Sequence, residues 1–244
     1  MKPKNTIAIR LINVSKKYEI HHEKPTLVEK FVKGRNETFW ALRGINLTIQ
    51  KGEKVGIVGR NGSGKTTLLK IIAGITTPTS GSVRTNGKLV SLIDLEAGFH
   101  MDLTGYQNIY VNGMLLGLGK RDIDARIRDI IAFADLKQFI DAPLFTYSSG
   151  MALRFGFAIA VHADPHILLL DENLSAGDAS FQNKSRAKLQ EFFRKKKTIV
   201  VVTHNLDFIA TMCRRVLQFQ KGSLIQDGGI EVLSNYDPSW KARV

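Results

Sequence analysis

The chain has little cysteine, no long apolar run and few acidic side chains for its number of basic ones. Cys213 is the only cysteine among 244 residues, so no intramolecular disulfide can form. Apolar runs such as ILLL at 167–170 fall far short of the roughly 18 residues that indicate a membrane span. The first ten residues, MKPKNTIAIR, contain no apolar run of signal-peptide length. We therefore expect neither a signal sequence nor a membrane-spanning helix, so any membrane role must come through a partner.

The excess of basic side chains is large, with 35 Lys and Arg against 22 Asp and Glu and a net charge of +13. Such a charge favours an acidic partner, for example nucleic acid, anionic lipid or a charged substrate. A solvated basic surface explains it equally well. The hydrophobic content of 43% is enough for a substantial core, in one domain with an inserted subdomain or in two small domains.

Hydrophobic periodicity predicts strands that alternate with helices, which indicates a parallel α/β sheet. The predicted strands are 6–14, 39–49, 54–58, 88–93, 166–170 and 198–202. A polar segment at 19–38 is predicted to be an inserted loop. A helix is expected at 65–73, ending at Gly74, and a mainly helical subdomain at 106–139, with Gly113, Gly117 and Gly119 marking a bend or break.

The segment GRNGSGKT at 59–66 matches the phosphate-loop pattern G-x-x-x-x-G-K-[ST] between a predicted strand and a predicted helix. Its backbone N–H groups and the helix N-terminus are expected to bind phosphate oxygens. Lys65 is expected to reach the terminal phosphates and the Thr66 hydroxyl to bind Mg²⁺. The predicted nucleotide-binding residues are Gly59, Arg60, Asn61, Gly62, Ser63, Gly64, Lys65, Thr66 and Thr67.

Three further residues are predicted to complete the site, because they follow buried strands at the edge where parallel sheets bind ligands. Asp171 is expected to hold Mg²⁺, and Glu172 to orient or deprotonate the attacking water. His204 follows the strand at 198–202 and is expected to contact the γ-phosphate or that water. The guanine-reading pattern N-K-x-D is absent, since Asn183 and Lys184 are followed by Ser-Arg, and this favours adenine.

The chain resembles the nucleotide-binding subunits of ABC transporters. GRNGSGKT is similar to Walker A, and ILLLDE at 167–172 to Walker B with its catalytic Glu172. YSSGM at 147–151 stands where the family has LSGGQ, which implies phosphate contacts from Ser148, Ser149 and Gly150. SAGD at 175–178 resembles the D-loop with Asp178, and His204 takes the place of the switch histidine.

The resemblance implies a P-loop NTPase (RecA-like) core with an antiparallel β part and an inserted α-helical subdomain. The whole chain, 1–244, is expected to form one ATPase domain, with a catalytic core at 1–93 and 161–244 and a helical subdomain at 94–160. It also implies a head-to-tail homodimer that holds ATP and Mg²⁺ between the Walker A loop of one subunit and the signature helix of the other. A polytopic membrane permease is the expected partner, with the ATPase peripheral at the cytoplasmic face of the inner membrane.

A departure from the family pattern narrows the subfamily. Most relatives have a Gln after the strand predicted here at 88–93, but this chain has Asp94 or Glu96 at that point, either of which is expected to contact Mg²⁺. Both acids could instead be plain turn residues. The sequence IDLEAGFHMDLTG at 93–105 resembles the ATPases that export O-antigen, capsule or teichoic acid, which implies a lipid-linked polysaccharide as cargo.

The aromatic side chain that stacks on adenine is expected to be Tyr18. The inserted segment lies between Tyr18 and the phosphate loop, so Phe39 or Trp40 is an alternative, unless these two simply pack in the core. The leading hypothesis is thus an ATPase motor of polysaccharide export. The alternatives are an exporter ATPase for another substrate, or a soluble ABC ATPase acting on ribosomes or nucleic acid. Under the leading hypothesis no nucleic acid partner is expected.

Overall fold

The computed structural model describes residues 6–20, 37–171 and 178–241. Glu172 and the D-loop residues 175–177 therefore lie outside the described residues, as does most of the inserted segment. Over the ranges that are described, no helix has the length and hydropathy needed to cross a membrane.

A three-stranded antiparallel sheet has the order β2-β1-β4. It consists of β1 (Ile7–Ile20), β2 (Glu37–Gln50) and β4 (Ser80–Thr85). Strand β4 pairs with β1 only between Ile9 and Ser15, whereas β1 and β2 stay paired out to Ile20 and Glu37. Beyond Ser15 the two long strands thus continue as a two-stranded arm, which we call the β1–β2 arm (16–20 and 37–42).

The predicted limits of the first two strands and of the inserted segment were wrong. β1 continues six residues past the predicted end at position 14, and β2 begins two residues before position 39. The extra residues are mostly charged or polar, and several are exposed, so they lack the apolar alternation that marks a half-buried strand. Ser15 pairs with β4, and the others form strand because each pairs with the other strand of the arm.

The second sheet has six strands in the order β5-β6-β7-β3-β8-β9. Its members are β3 (Lys54–Val58), β5 (Leu89–Ser91), β6 (Ile167–Leu170), β7 (Thr198–Val202), β8 (Arg215–Gln220) and β9 (Ser223–Gly228). The first five are parallel and β9 is antiparallel to β8, so the predicted parallel α/β sheet is confirmed. The strands predicted at 54–58 and 198–202 have those limits in the structure.

The helices are α1 (Lys65–Ile72), α2 (Gly105–Leu115), α3 (Lys120–Ala134), α4 (Ser149–His162), α5 (Ala179–Arg194), α6 (Leu206–Met212), α7 (Glu231–Tyr236) and α8 (Pro238–Lys241). The predicted break in the helical segment lies between α2 and α3, at Gly117 and Gly119. Gly113 marks no break, because it lies inside α2 against α3. A Cβ added there would be 2.9 Å from Ile123 Cδ1, so the missing side chain allows the two helices to pack closely.

Alternate residues of the buried strands contribute to two cores, one on each face of the parallel sheet. In β6, Ile167 and Leu169 join the core formed with β1, β2 and α1, whereas Leu168 and Leu170 join the core formed with the remaining helices. All four side chains are at most 1% exposed. Burial on both faces explains the uninterrupted apolar sequence of this strand, which ends at Leu170, directly before Asp171.

Candidate functional site

The phosphate loop joins β3 to α1 through two glycines that no other residue could replace without strain. Gly59 has φ +154° and Gly64 has φ +103°. A Cβ added at Gly59 would lie 2.4 Å from the Phe219 carbonyl oxygen, and one at Gly64 would lie 2.4 Å from the Ala41 carbonyl oxygen. Strands β8 and β2 therefore pack directly against the loop and hold its shape.

Lys65 is the first residue of α1 and is only 8% exposed. Its Nζ donates hydrogen bonds to the Gly59 carbonyl oxygen at 2.6 Å and to the Arg60 carbonyl oxygen at 3.0 Å. The ammonium group thus lies within the curve of the loop. Close by, Ser63 Oγ is buried and has no hydrogen-bond partner in the described part of the chain. A buried cation and a buried hydroxyl with spare capacity suit an anionic oxygen ligand.

Asp171 lies at the C-terminal end of β6, and its side chain meets the phosphate loop. Thr66 Oγ1 donates to Asp171 Oδ2 at 3.1 Å, although the two residues are 105 positions apart. A hydroxyl and a carboxylate side by side form a donor set that Mg²⁺ accepts. Within the described ranges there is no group of three or more His, Cys, Asp or Glu side chains that could hold a metal. The residues present therefore fit a cation that takes its other ligands from phosphate and water.

His204 follows β7 and approaches the loop from the other side. Its Nε2 lies 3.2 Å from Asn61 Oδ1. The structure therefore brings together five of the predicted residues, which are Asn61, Lys65, Thr66, Asp171 and His204. Sequence reasoning placed His204 at this edge, but it did not foresee the contact with Asn61, because no sequence pattern links two residues 143 positions apart.

Asp94 and Glu96, the two residues predicted to replace the Gln of most relatives, line one small cavity. Asp94 and Glu96 are both exposed, and both line a cavity of about 170 Å³ that is also bounded by Leu153, Phe157 and Phe181. This cavity lies between the segment after β5 and the helices α4 and α5. The assignment of Asp94 or Glu96 as a metal ligand stays a prediction.

The predicted signature residues stand at the N-terminus of α4. Ser148 is the N-cap, and its Oγ accepts a hydrogen bond from the Met151 backbone N–H at 3.2 Å. Ser149 and Gly150 are exposed in the first turn. Just before the cap, the Tyr147 hydroxyl donates to the Phe139 carbonyl oxygen at 2.8 Å, and burial raises the pKa of this tyrosine. The start of α4 is thus open, as a contact with a second molecule requires.

Asp178 is the N-cap of α5, as its Oδ1 accepts from the Phe181 backbone N–H at 2.9 Å. Arg154 of α4 lies 3.5 Å from the other carboxylate oxygen, an ion pair that sequence reasoning missed. The Phe181 N–H, with a further contribution from the Arg154 charge, lowers the pKa of the Asp178 carboxyl group. These contacts join the signature helix to the start of α5.

The candidate adenine-stacking residues all lie on the β1–β2 arm, which begins where β2 passes the phosphate loop. Tyr18, Phe39 and Trp40 are 39%, 49% and 37% exposed, so the interpretation of Phe39 and Trp40 as core residues was wrong. Tyr18 pairs with Phe39, and Lys17 pairs with Trp40. Directly paired residues share a face and successive ones alternate. Tyr18 and Phe39 therefore lie on one face of the arm and Trp40 on the other.

Comparison with known proteins agrees with this geometry. Residues 42–175 match the family described as ABC transporter. The chain is 56% identical, over 71% of its length, to the O-antigen export system ATP-binding protein RfbB of Myxococcus xanthus, of which it covers 40%. It is 40% identical to RfbB of Klebsiella pneumoniae, covering 91% of this chain and 94% of that protein. It is 48% identical to the teichoic acids export ATP-binding protein TagH of Enterococcus faecalis, covering 77% of this chain and 42% of that protein.

Solved structures of similar fold include the dimeric post-hydrolysis state of the ATP-binding cassette MJ0796 bound to ADP and Pi. It superposes with a TM-score of 0.69 at 24% identity, covering 91% of this chain and 98% of that one. An ATP-binding subunit of an ABC transporter superposes with a TM-score of 0.72 at 18% identity, covering 94% and 92%. The predicted P-loop fold with its antiparallel part and helical insertion is confirmed.

Proposed function

The chain belongs to the ABC transporter family, and we propose that it is the ATP-hydrolysing motor subunit of an exporter for a lipid-linked cell-surface polysaccharide. One observation carries the proposal: the Thr66–Asp171 contact at 3.1 Å and the Asn61–His204 contact at 3.2 Å join three predicted motifs in one site. The relatives named above support the polysaccharide, because their names refer to O-antigen or teichoic acid export. The chain spans less than half the length of two of them, so the cargo and the partners of the whole protein remain part of the proposal.

In this proposal the phosphate loop binds the triphosphate of ATP. Lys65 exchanges its two carbonyl contacts for β- and γ-phosphate oxygens, and the backbone N–H groups of the loop and of α1 bind the rest. Thr66 and Asp171 hold Mg²⁺, which when bound neutralises charge on the phosphates. Glu172 orients the attacking water, and His204, positioned by Asn61, contacts the γ-phosphate. Tyr18 or Phe39 stacks on adenine.

The exposed start of α4 supports a homodimer in which Ser148, Ser149 and Gly150 bind ATP held by the other subunit. The MJ0796 cassette, whose structure is dimeric, has the same fold. We also propose the division into a catalytic core, at 1–93 and 161–244, and a helical subdomain at 94–160. A polytopic permease would hold the dimer at the cytoplasmic face of the membrane, as expected for relatives that belong to export systems.

The net charge of +13 favours one alternative, a soluble ABC ATPase acting on ribosomes or nucleic acid. A pull-down separates the two. Tagged Glu172→Gln protein, which should keep ATP bound, is recovered from detergent-solubilised cells with ATP, and its companions are identified. We expect a polytopic membrane protein. Ribosomes or nucleic acid in its place would overturn the export proposal.

A matched control uses the same tagged chain with Lys65→Ala added. Because Lys65 is the cation inside the loop, this variant should lose MgATP binding and with it any companion whose association depends on ATP. Recovery of the same membrane protein by both variants would show that its association does not depend on nucleotide. The ATPase activity is tested separately, by measuring the hydrolysis of radiolabelled ATP. We expect the unmutated chain to hydrolyse ATP and Lys65→Ala to have lost this activity.

A further inference from the structure

A large cleft lies at the edge of the parallel sheet opposite to the phosphate loop. The segments before β3 and β8, the last turns of α5 and α6, and the start of α7 form its walls. Its volume is about 1180 Å³. The cleft is separate from the ATP site, because the phosphate loop follows the C-terminal end of β3 whereas the cleft surrounds the N-terminal end of the same strand. None of the residues assigned to nucleotide, metal or dimer contacts lines it.

The cleft is rich in positive charge. Its lining contains two carboxylates, Glu53 and Glu231, and five cations, which are Lys51, Lys54, Arg194, Arg214 and Arg215. Arg215 is already used by the fold, as its guanidinium makes two hydrogen bonds of 2.7 Å to Asp227 and others to Glu53. Both lining carboxylates also accept backbone N–H groups, Glu53 from Gln50 and Glu231 from Gly229.

The other four cations of the cleft make no ion pair with an acidic group in the described part of the chain. Arg194 lies in the last turn of α5, where the helix dipole stabilises a cation. Lys51, Lys54 and Arg214 lie outside helices, so no helix dipole offsets their charge. The four charges converge on one cleft, and this arrangement suits an occupant with several negative charges.

The size and the apolar part of the lining indicate what kind of occupant this is. Small-molecule pockets measure roughly 300–1,000 Å³, and this cleft is larger and open to solvent. Apolar side chains stand among the cations, namely Ile230, which is 49% exposed, and the half-buried Met212 at the end of α6. A single phosphate or sugar would leave most of this surface uncovered, and a nucleic acid backbone would leave Ile230 unmatched.

We propose that this cleft is a docking site for an acidic polypeptide segment that has an apolar side. The carboxylates of the segment pair with Lys51, Lys54, Arg194 and Arg214, and its apolar side chains cover Met212 and Ile230. Because the ATP site is at the opposite edge of the sheet, the segment and ATP bind at the same time. The inference stands on the cleft alone and does not depend on which cargo is exported.

Binding is tested with a fluorescein-labelled synthetic peptide that has glutamates on one helical face and leucines on the other. Fluorescence anisotropy is measured at an ionic strength of about 0.15 M, where the screening length is only about 8 Å. The test variant combines Lys51→Glu, Arg194→Glu and Arg214→Glu, and leaves Glu53 and Arg215 unchanged because they brace the fold. Reversing three charges of the docking site should weaken binding of the acidic peptide by about tenfold or more.

The matched control combines Arg121→Glu, Arg128→Glu and Lys137→Glu, three exposed cations of the helical subdomain. Both variants lose the same net charge, but the three control residues do not line the cleft. Because salt screens exposed charges that are far apart, the control should weaken peptide binding by less than about twofold. Equal losses in the two variants would mean diffuse attraction to a basic protein and would overturn the proposal. It would also fall if the peptide did not bind, or if a single-stranded oligonucleotide bound at the cleft in its place. Should the triple variant not fold, Arg194→Glu alone gives the same comparison with Arg128→Glu.

Discussion

At the scale of single residues, the contact between His204 and Asn61 joins the switch position to the phosphate loop. The 3.2 Å distance from His204 Nε2 to Asn61 Oδ1 leaves the imidazole beside the loop that is proposed to bind the γ-phosphate. The ring is therefore held near its working position by the loop itself. A side chain that only holds another in place affects turnover less than the residue that touches the reacting group.

Asn61→Ala should consequently lower kcat for MgATP hydrolysis by about tenfold, against the roughly 10²–10⁴-fold loss that removing an acid–base group causes. The KM for MgATP should change little, since Lys65 and the loop backbone remain. The double variant with His204→Ala should be no slower than His204→Ala alone, because both substitutions break one contact. Steady-state kinetics of the four proteins measures this, and multiplicative losses would contradict the positioning role.

The sequence predicts the residues of this site well where they are neighbours along the chain. The loop at 59–66 was complete in the sequence because its glycines, lysine and threonine are neighbours along the chain. The sequence predicts Asp171 and His204 at the same edge because each comes after a buried strand, and in the structure both contact the phosphate-loop region. The Arg154–Asp178 ion pair was missed, because it depends on how α4 and α5 pack, and no local pattern contains that information.

At the scale of secondary structure elements, three aromatic rings join α3, α4 and α5. Phe157 of α4 lies 5.6 Å from Phe181 of α5 in an edge-on arrangement, and Phe133 of α3 is within 6.0 Å of both. Phe157 and Phe181 are 2% and 5% exposed. This cluster lies beneath the Arg154–Asp178 pair, so the signature helix and the start of α5 share one packed support.

Phe157→Ala should lower the free energy of unfolding by about 3–5 kcal/mol, as expected for a buried phenylalanine whose ring leaves a cavity. Phe157→Leu, which keeps most of the volume, serves as the control and should cost clearly less. Urea denaturation followed by circular dichroism gives both values. A loss of less than about 1 kcal/mol for the alanine variant would mean that the cluster does not hold α4 in place.

Elements differ in how well their limits could be predicted, and burial explains the difference. Strands β3 and β7 were predicted with their observed limits because both faces of each are covered, so that only apolar runs suit them. Tyr18, Phe39 and Trp40 are exposed on the two faces of the β1–β2 arm, and the neighbouring Lys16, Lys17 and Glu19 indicate a loop when the pairing strand is unknown. The sequence predicts a bend or break at Gly113, but this residue lies inside α2. The sequence does not show that α3 packs against it.

At the scale of the whole molecule, the open start of α4 is the part of the proposed dimer that can be tested without disturbing the fold. Among the residues that the structure describes, a Cβ added at Gly150 would approach Ser148 Oγ alone, at 4.0 Å, so Gly150→Ala fits there without strain. Alanine also favours a helix more than glycine does. Any defect of this variant must therefore arise where a second molecule approaches.

The Glu172→Gln variant is expected to form a stable dimer with ATP. Adding Gly150→Ala to it should weaken that dimer by about tenfold or more, because the new methyl group stands between α4 and the phosphates of the ATP held by the other subunit. Light scattering coupled to gel filtration, with and without MgATP, measures the dimer. Nucleotide binding to the monomer and the thermal unfolding midpoint serve as controls and should be unchanged. An undiminished dimer would contradict the proposed role of Gly150.

The order of strands in the parallel sheet has a consequence for the synthesis of the chain. Val55 of β3 pairs with Val200 on one side and with Arg215 on the other, so both neighbours of the strand before the phosphate loop lie far downstream of it in the sequence. A ribosome releases the loop long before it makes either neighbour. Contacts so distant in sequence form late. The nascent chain therefore acquires its affinity for nucleotide only after β7 and β8 have been made, and until then the apolar face of β3 is a target for chaperones.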